Sequence, residues 1–311
     1  MKTWLTKHEM SLGRVFEAVT ERVRQYPAPL DQLGLSYAAK FDVGQEGSSK
    51  NYVCYLLPYW MEDVGELSSE TQDKLAIANI FIMLYYFIQD DIMDSSKGEH
   101  REKLPLANLF QMDYMAIYRE LFPAFSPFWS YYETYVCEWA DSVTNEGSRD
   151  DFFDDKLRIA RKASPVKNAS TGALLLTGQA HLIPEVTAAV ELSLVTLQML
   201  DDYADWEEDL EEGSYNCLLA SIRRKLNFSR IDTLTVEAVK HELYVLDHAD
   251  VYSEIAAAHH ENLHHMSIHM DQLYEFHESL VRNLQNISQE IKEQRKQLLL
   301  GGFFHFMSKS V

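Results

Sequence analysis

The chain has 311 residues, 46% of them hydrophobic and 12% aromatic, and a formal net charge of −20. That much apolar mass can close a folded core, whereas so negative a surface repels nucleic acid and anionic membranes; neither is expected as a partner, and an anionic substrate would need metal cations or a local basic pocket. The three cysteines, Cys54, Cys137 and Cys217, are spaced for neither zinc nor a disulfide framework and read as reduced thiols.

Residues 1–13 carry scattered charges and no apolar h-region, so no signal peptide is expected and the cytoplasm is the default compartment. Helical apolar spacing, with only 12 glycines and 8 prolines, predicts helices over 12–26, 50–60, 71–94, 106–122, 129–143, 150–163, 171–181 and 184–210. Further helices are predicted over 216–225, 236–247 and 252–299, the last dividing near Asp271 or Ile287. The breaks at 27–29, 44–49 and 97–105 are loop-sized. The apolar run 75–88 is shorter than the roughly 20 residues a bilayer crossing needs. It reads as a buried helix, and no integral membrane association is expected. With no repeat or long linker, the expectation is one all-α domain over 1–311, larger than a four-helix bundle.

The most informative segment ends the predicted helix 71–94 in Gln89-Asp90-Asp91-Ile92-Met93-Asp94. Residues four apart share a helix face, so Asp90 and Asp94 point the same way with Asp91 beside them. The helix C-terminus disfavours negative charge, and two carboxylates about 5 Å apart repel by roughly 3 kcal/mol at an effective dielectric near 20. Magnesium resolves that repulsion, since it prefers carboxylate oxygens and completes its shell with substrate phosphates. A second cluster follows another apolar stretch at Asp201-Asp202-Tyr203-Ala204-Asp205, and Asp209 continues the face of Asp201 and Asp205. One such cluster would be weak evidence in an acidic chain; two, each closing an apolar helix, could present carboxylates from both sides of one cavity.

At these residues the chain resembles the class I isoprenoid synthases, the superfamily of trans-prenyl diphosphate synthases and class I terpene cyclases. Asp90 to Asp94 is similar to the first aspartate-rich motif and Leu197 to Asp205, with Gln198, to the second; the likeness runs over roughly 40–220. The resemblance implies a bundle of about ten or more helices around a central cavity. It further implies three Mg2+ ions held by Asp90, Asp91, Asp94, Asp201, Asp202, Asp205 and Asp209, with Asp90, Asp94, Asp201 and Asp205 catalytic and Gln198 beside the substrate. The ions would draw diphosphate off an allylic prenyl substrate, leaving a carbocation, a Lewis-acid role that needs no protein nucleophile. Tyr85 and Tyr86, just before the motif, would floor the prenyl pocket and favour a short C10 or C15 chain; ordinary core aromatics are the plain alternative. Homodimers are common in the superfamily.

The basic set that holds a second, homoallylic diphosphate in prenyl synthases is eroded. Gly47-Ser48-Ser49-Lys50-Asn51-Tyr52 stands where the family has Gly-Lys-Arg-x-Arg, Lys97 to Lys103 keeps Arg101 among acids, and Gly213-Ser214 replaces a Gly-Lys step. This favours a terpene cyclase, with a short-chain prenyltransferase using isopentenyl diphosphate as the alternative. The cyclase triad falls on Asp201, Asp205 and Asp209, all aspartate where the family has Asn/Asp, Ser and Glu, and the cyclases' terminal Arg-Tyr pair is missing. Arg158, Arg161, Lys162 and Lys167 are the candidate diphosphate cations, Lys162 at about the offset of a prenyl-synthase lysine; solvated helix charge is the alternative.

A rival from another class is His260-Glu261-Asn262-Leu263-His264, which spells the zinc-peptidase pattern His-Glu-x-x-His. The surrounding stretch is simply histidine-rich, with His259, His265 and His269, and Glu275 or Glu278 would have to serve as third ligand. A diiron carboxylate bundle would need two Glu-x-x-His pairs and finds only Glu261 to His264. A non-catalytic helical subunit is the remaining reading.

Overall fold

The apolar run that ends at the first aspartates contains one polar residue, Asn79, and the fold uses it. In the computed structural model Pro58 lies inside the helix Tyr52–Trp60, where it has no N–H to offer the carbonyl of Cys54 one turn earlier. Asn79 Nδ2 donates to that carbonyl oxygen at 3.0 Å, so the proline costs no unpaired acceptor.

The structure describes residues 3–94, 101–148, 150–228 and 233–308, with backbone alone at 94 and 299–308. Among them the helices are Thr3–Thr6, Glu9–Val23, Leu30–Ala39, Tyr52–Trp60, Ser69–Asp94, Lys103–Leu121, Phe128–Thr144, Asp151–Asp154 and Leu157–Arg161. Asn168–Leu176, Ile183–Glu212, Cys217–Lys225, Val236–Tyr244, His248–His264 and Asp271–Ser308 follow, joined by three short 3-10 turns and no strand. The fold is all-α, as expected. The predicted helix 150–163 is two short helices, because the chain turns at Asp155 and Arg158 reaches back to Asp151 at 3.1 Å. The predicted helix 252–299 divides between His264 and Asp271. Leu30–Ala39 is a helix outside the predicted set, with Gly34 in its middle. The glycine's missing side chain admits Val23 Cγ1 and Leu106 Cδ1, which a Cβ would meet at 2.7 and 3.1 Å.

The helices fall into two compact units, each built from discontinuous segments. The first comprises residues 1–139, 163–188 and 268–273. Its centre is Ser69–Asp94, packed on Tyr52–Trp60 and Lys103–Leu121, with Leu75, Ala76, Ala78 and Ile80 to Leu84 all buried. Tyr26 and Arg22 both donate to Asp113, pinning Glu9–Val23 to Lys103–Leu121. The second unit comprises 140–162, 189–267 and 274–311. There Cys217–Lys225 packs on Val236–Tyr244 and His248–His264, and Asp247, at φ 56°, turns the chain between the latter two.

Ser69–Met93 and Ala180–Glu212 are long and apolar enough to cross a membrane by length and composition alone. In each, more than half of the apolar window is buried inside the protein, at 61% and 56%, as in the core helix of a globular protein.

Candidate functional site

In the first unit, Ser68 Oγ accepts from Thr71 N at 3.2 Å and starts the helix that delivers the first motif. Asp90 and Asp91 stand half-buried on its last turns. The backbone of Asp94 is helical; its side chain lies outside the described residues, as does the segment Lys97 to His100. Asp91 accepts from Lys103 Nζ at 3.1 Å. The Tyr37 hydroxyl also bonds to Asp91, and burial, with the charges of Asp91 and Asp90, drives that phenol well above its ordinary range. Asp91, expected as a metal ligand, therefore already has two protein partners.

A cleft of about 470 Å³ opens here, lined by Leu33, Tyr37, Lys40, Ile88, Arg101 and Lys103 among others. Arg101 and Lys103 come from one segment, within the stretch Lys97 to Lys103 already noted in the sequence, and Glu102 between them lines the same cleft. Lys40 comes from a distant segment and belongs to no motif, which is why the sequence alone does not single it out.

One turn below Asp90, Tyr86 is buried against Trp139 at 4.7 Å, and half-buried Tyr85 meets Tyr86 at 4.9 Å and Tyr114 at 5.9 Å. Tyr114 shares a hydroxyl contact of 3.2 Å with Tyr132. The Tyr118 hydroxyl and Trp139 Nε1 are buried without a hydrogen-bond partner. Lys167 is fully buried, its ammonium 2.6 Å from Glu138 and 4.5 Å from the centre of the Tyr135 ring. The expectation that Lys167 touches a diphosphate meets a physical obstacle, since it has no exposed surface and its charge is compensated within the protein.

In the second unit the two adjacent aspartates diverge. Asp201 is solvent-exposed, while Asp202 is only 4% exposed. Asp202 accepts from Gln198 Nε2 at 2.7 Å through one oxygen and from Cys217 N at 2.6 Å through the other. Asn216 caps the helix Cys217–Lys225 by accepting from Leu219 N at 3.0 Å. It also donates to the Asp202 carbonyl and to Asp209 Oδ2, both at 2.7 Å. This lattice folds the chain back onto the end of Ile183–Glu212. Asp202 and Gln198, expected on metal and substrate, thus spend their polar atoms on the backbone turn and on each other.

Asp201 and Asp205 are both exposed as residues, yet the surrounding protein crowds the Asp201 carboxyl. Loss of solvation, reinforced by the charges of Asp202 and Asp205, pushes the Asp201 carboxyl up to about 6. A divalent cation would reverse that cost, so the donor chemistry fits hard Mg2+ at Asp201 and Asp205, with Asp209 offering its second oxygen. Among the described residues no three His, Cys, Asp or Glu side chains already converge for a metal. Arg158 bridges Asp141 at 2.6 Å and Asp151, Arg161 lies 3.5 Å from Asp155, and Lys162 pairs with Glu146. These cations are partnered within the protein, and Lys162 and Arg158 line a void of about 20 Å³ beside Asp202.

No family model matches the chain, and no curated protein matches it in sequence. Among solved structures it is similar to a geranylgeranyl pyrophosphate synthase from Lactobacillus brevis, with a TM-score of 0.62 over 89% of this chain and 96% of that one, at 16% identity. The likeness at that identity is one of architecture, and it agrees with the all-helical element order above: the chain has the class I isoprenoid synthase fold.

Proposed function

We propose that the chain is a magnesium-dependent trans-prenyl diphosphate synthase that joins an allylic prenyl diphosphate to isopentenyl diphosphate. The observation that carries this reading is the cleft beside Asp91, where Lys40, Arg101 and Lys103 gather in a protein of net charge −20. Ammonium and guanidinium groups in a cleft can hold a second diphosphate against the repulsion of the whole molecule. Arg101 and Lys103 are what the eroded segment Lys97 to Lys103 retains, and Lys40 adds a cation to them from the end of Leu30–Ala39. The fold shared with a geranylgeranyl pyrophosphate synthase supports the same choice.

In this reading Asp90, Asp94, Asp201 and Asp205 supply the oxygens for Mg2+, which when bound neutralises the departing diphosphate. Asp91 holds Lys103 at the cleft, and Asp202, Gln198 and Asn216 fix the helix end from which Asp201 and Asp205 project. Tyr85 and Tyr86 close off the space below Asp90 with aromatic bulk, which supports a C10 or C15 product. The tyrosine faces are suited to an allylic cation, whose charge they stabilise through the ring quadrupole.

The test is to incubate the purified protein and Mg2+ with C5, C10 and C15 allylic diphosphates, each with and without isopentenyl diphosphate. A longer diphosphate formed only with isopentenyl diphosphate is expected, and chelation of Mg2+ should abolish it. The second reading, a terpene cyclase, is favoured by the four-residue spacing of Asp201, Asp205 and Asp209. A hydrocarbon or alcohol released from the allylic diphosphate alone would select it.

A further inference from the structure

The histidine-rich segment contains a feature that the diphosphate chemistry does not use. His260 and His264 lie one turn apart at the end of His248–His264, with their Nε2 atoms 3.1 Å from each other. Two imidazoles on one tetrahedral ion, at about 2.0–2.1 Å each, hold their nitrogens roughly 3.3 Å apart. The pair is therefore close to a chelating bite before any ion arrives. His264 is exposed, with Tyr274 edge-on to its ring at 5.4 Å, and His260 is half-buried with the Glu278 and Arg282 charges close enough to act on it.

The other side of His260 is organised by buried groups. Its Nδ1 lies 3.1 Å from Nδ1 of His277, which is fully buried and stacks on it with ring planes 3° apart. His277 Nε2 lies 2.9 Å from Thr196 Oγ1, which lies 3.0 Å from Nδ1 of buried His259. Several proton orders satisfy these contacts, because Thr196 Oγ1 also lies 3.3 Å from the Leu192 carbonyl oxygen. In one of them His260 Nδ1–H donates to His277, His277 Nε2–H donates to Thr196 Oγ1, and the Thr196 hydroxyl donates to His259. That order leaves the Nε2 lone pair of His260 facing His264, and it is the arrangement that metal-bound imidazoles adopt when their second nitrogen is held by a hydrogen-bond partner.

We propose that His260 and His264 form a binding site for a borderline-soft divalent cation of the zinc, nickel or copper type, with His277 and Thr196 orienting His260. Imidazole suits such ions and is a poor ligand for Mg2+, which makes the site chemically separate from the aspartates. Among the described residues no third His, Cys, Asp or Glu completes the set. Two imidazoles and water then hold the ion, without the ligand set of a His-Glu-x-x-His peptidase.

The experiment is a calorimetric titration of chelator-stripped, tag-free, full-length protein with Zn2+ in excess Mg2+, repeated with Co2+ followed by its visible absorption. One ion per chain is expected. Affinity should fall about tenfold or more in His264→Ala, whose exposed side chain leaves the fold intact, and stay unchanged in Asp201→Ala. Thr196→Val should weaken binding about tenfold by releasing the orientation of His260. Equal Zn2+ binding by the native protein and His264→Ala, or displacement of Zn2+ by Mg2+, would overturn the proposal.

Discussion

The two aspartate-rich segments are spelled alike, yet the second aspartate of each meets a different environment. In the first unit Asp91 is half-buried at the rim of a cleft and takes a lysine and a phenol as partners. In the second unit Asp202 is sealed from water and takes a backbone N–H and a side-chain amide. The first arrangement keeps a cation beside the motif, and the second builds a turn. What differs is the neighbour: Asp91 bonds to Tyr37 and Lys103, two residues of the cleft wall, whereas Asp202 faces the N-terminus of the very next helix, where a carboxylate meets unpaired backbone donors.

The sharpest way to break this contrast is at Asp90 and Asp201. Asp90→Ala and Asp201→Ala should each lower turnover by about a thousandfold or more, with helical circular dichroism unchanged. Retained turnover in both would end the shared magnesium reading for the two motifs. At the second position the effect should move from activity to stability. Asp202→Ala leaves Cys217 N and the Gln198 amide without their charged acceptor in a buried site and should cost about 3 kcal/mol in urea unfolding. Asp91→Ala removes a pair whose side chains are each more than a third exposed and should cost less than about 1 kcal/mol. Equal losses at both positions would erase the distinction.

Acid should also separate the units. His259 and His277, lowered to about 3, and His248, lowered to about 4, all belong to the second unit and are held neutral mainly by desolvation. Each is protonated in the unfolded chain below its ordinary value near 6.5, so the stability it confers is complete above that pH and declines as pH falls towards 3 to 4. The slope is about 1.4 kcal/mol per pH unit for each independent histidine. Hydrogen exchange at pH 5 should therefore show protection lost first in the second unit. A separate effect is expected at the cleft. Arg101→Ala and Lys40→Ala should each raise KM for isopentenyl diphosphate by about tenfold, or 1.4 kcal/mol, and leave KM for the allylic diphosphate nearly unchanged. A shift in the allylic KM alone would move these cations to the other substrate.

Most helices were legible in the amino-acid order because the signal for them is local. The apolar run 75–88 followed by Asp90 places the first motif on a helix end from a few neighbouring residues, and the same holds for 184–210 and Asp201. Leu30–Ala39 escaped because the meaning of Gly34 depends on Val23 and Leu106, which approach it from other helices. The sequence by itself thus determined an all-helical chain with two carboxylate clusters at helix ends, since the 3.6-residue period and side-chain charge act within one or two turns. Only the tertiary structure decided which aspartates stay available. It also decided that Lys167 is buried, that Lys40, Arg101 and Lys103 line one cleft, and that His277 reaches His260. Burial and pairing arise between segments distant in the chain, and no local pattern of residues encodes which of them will meet.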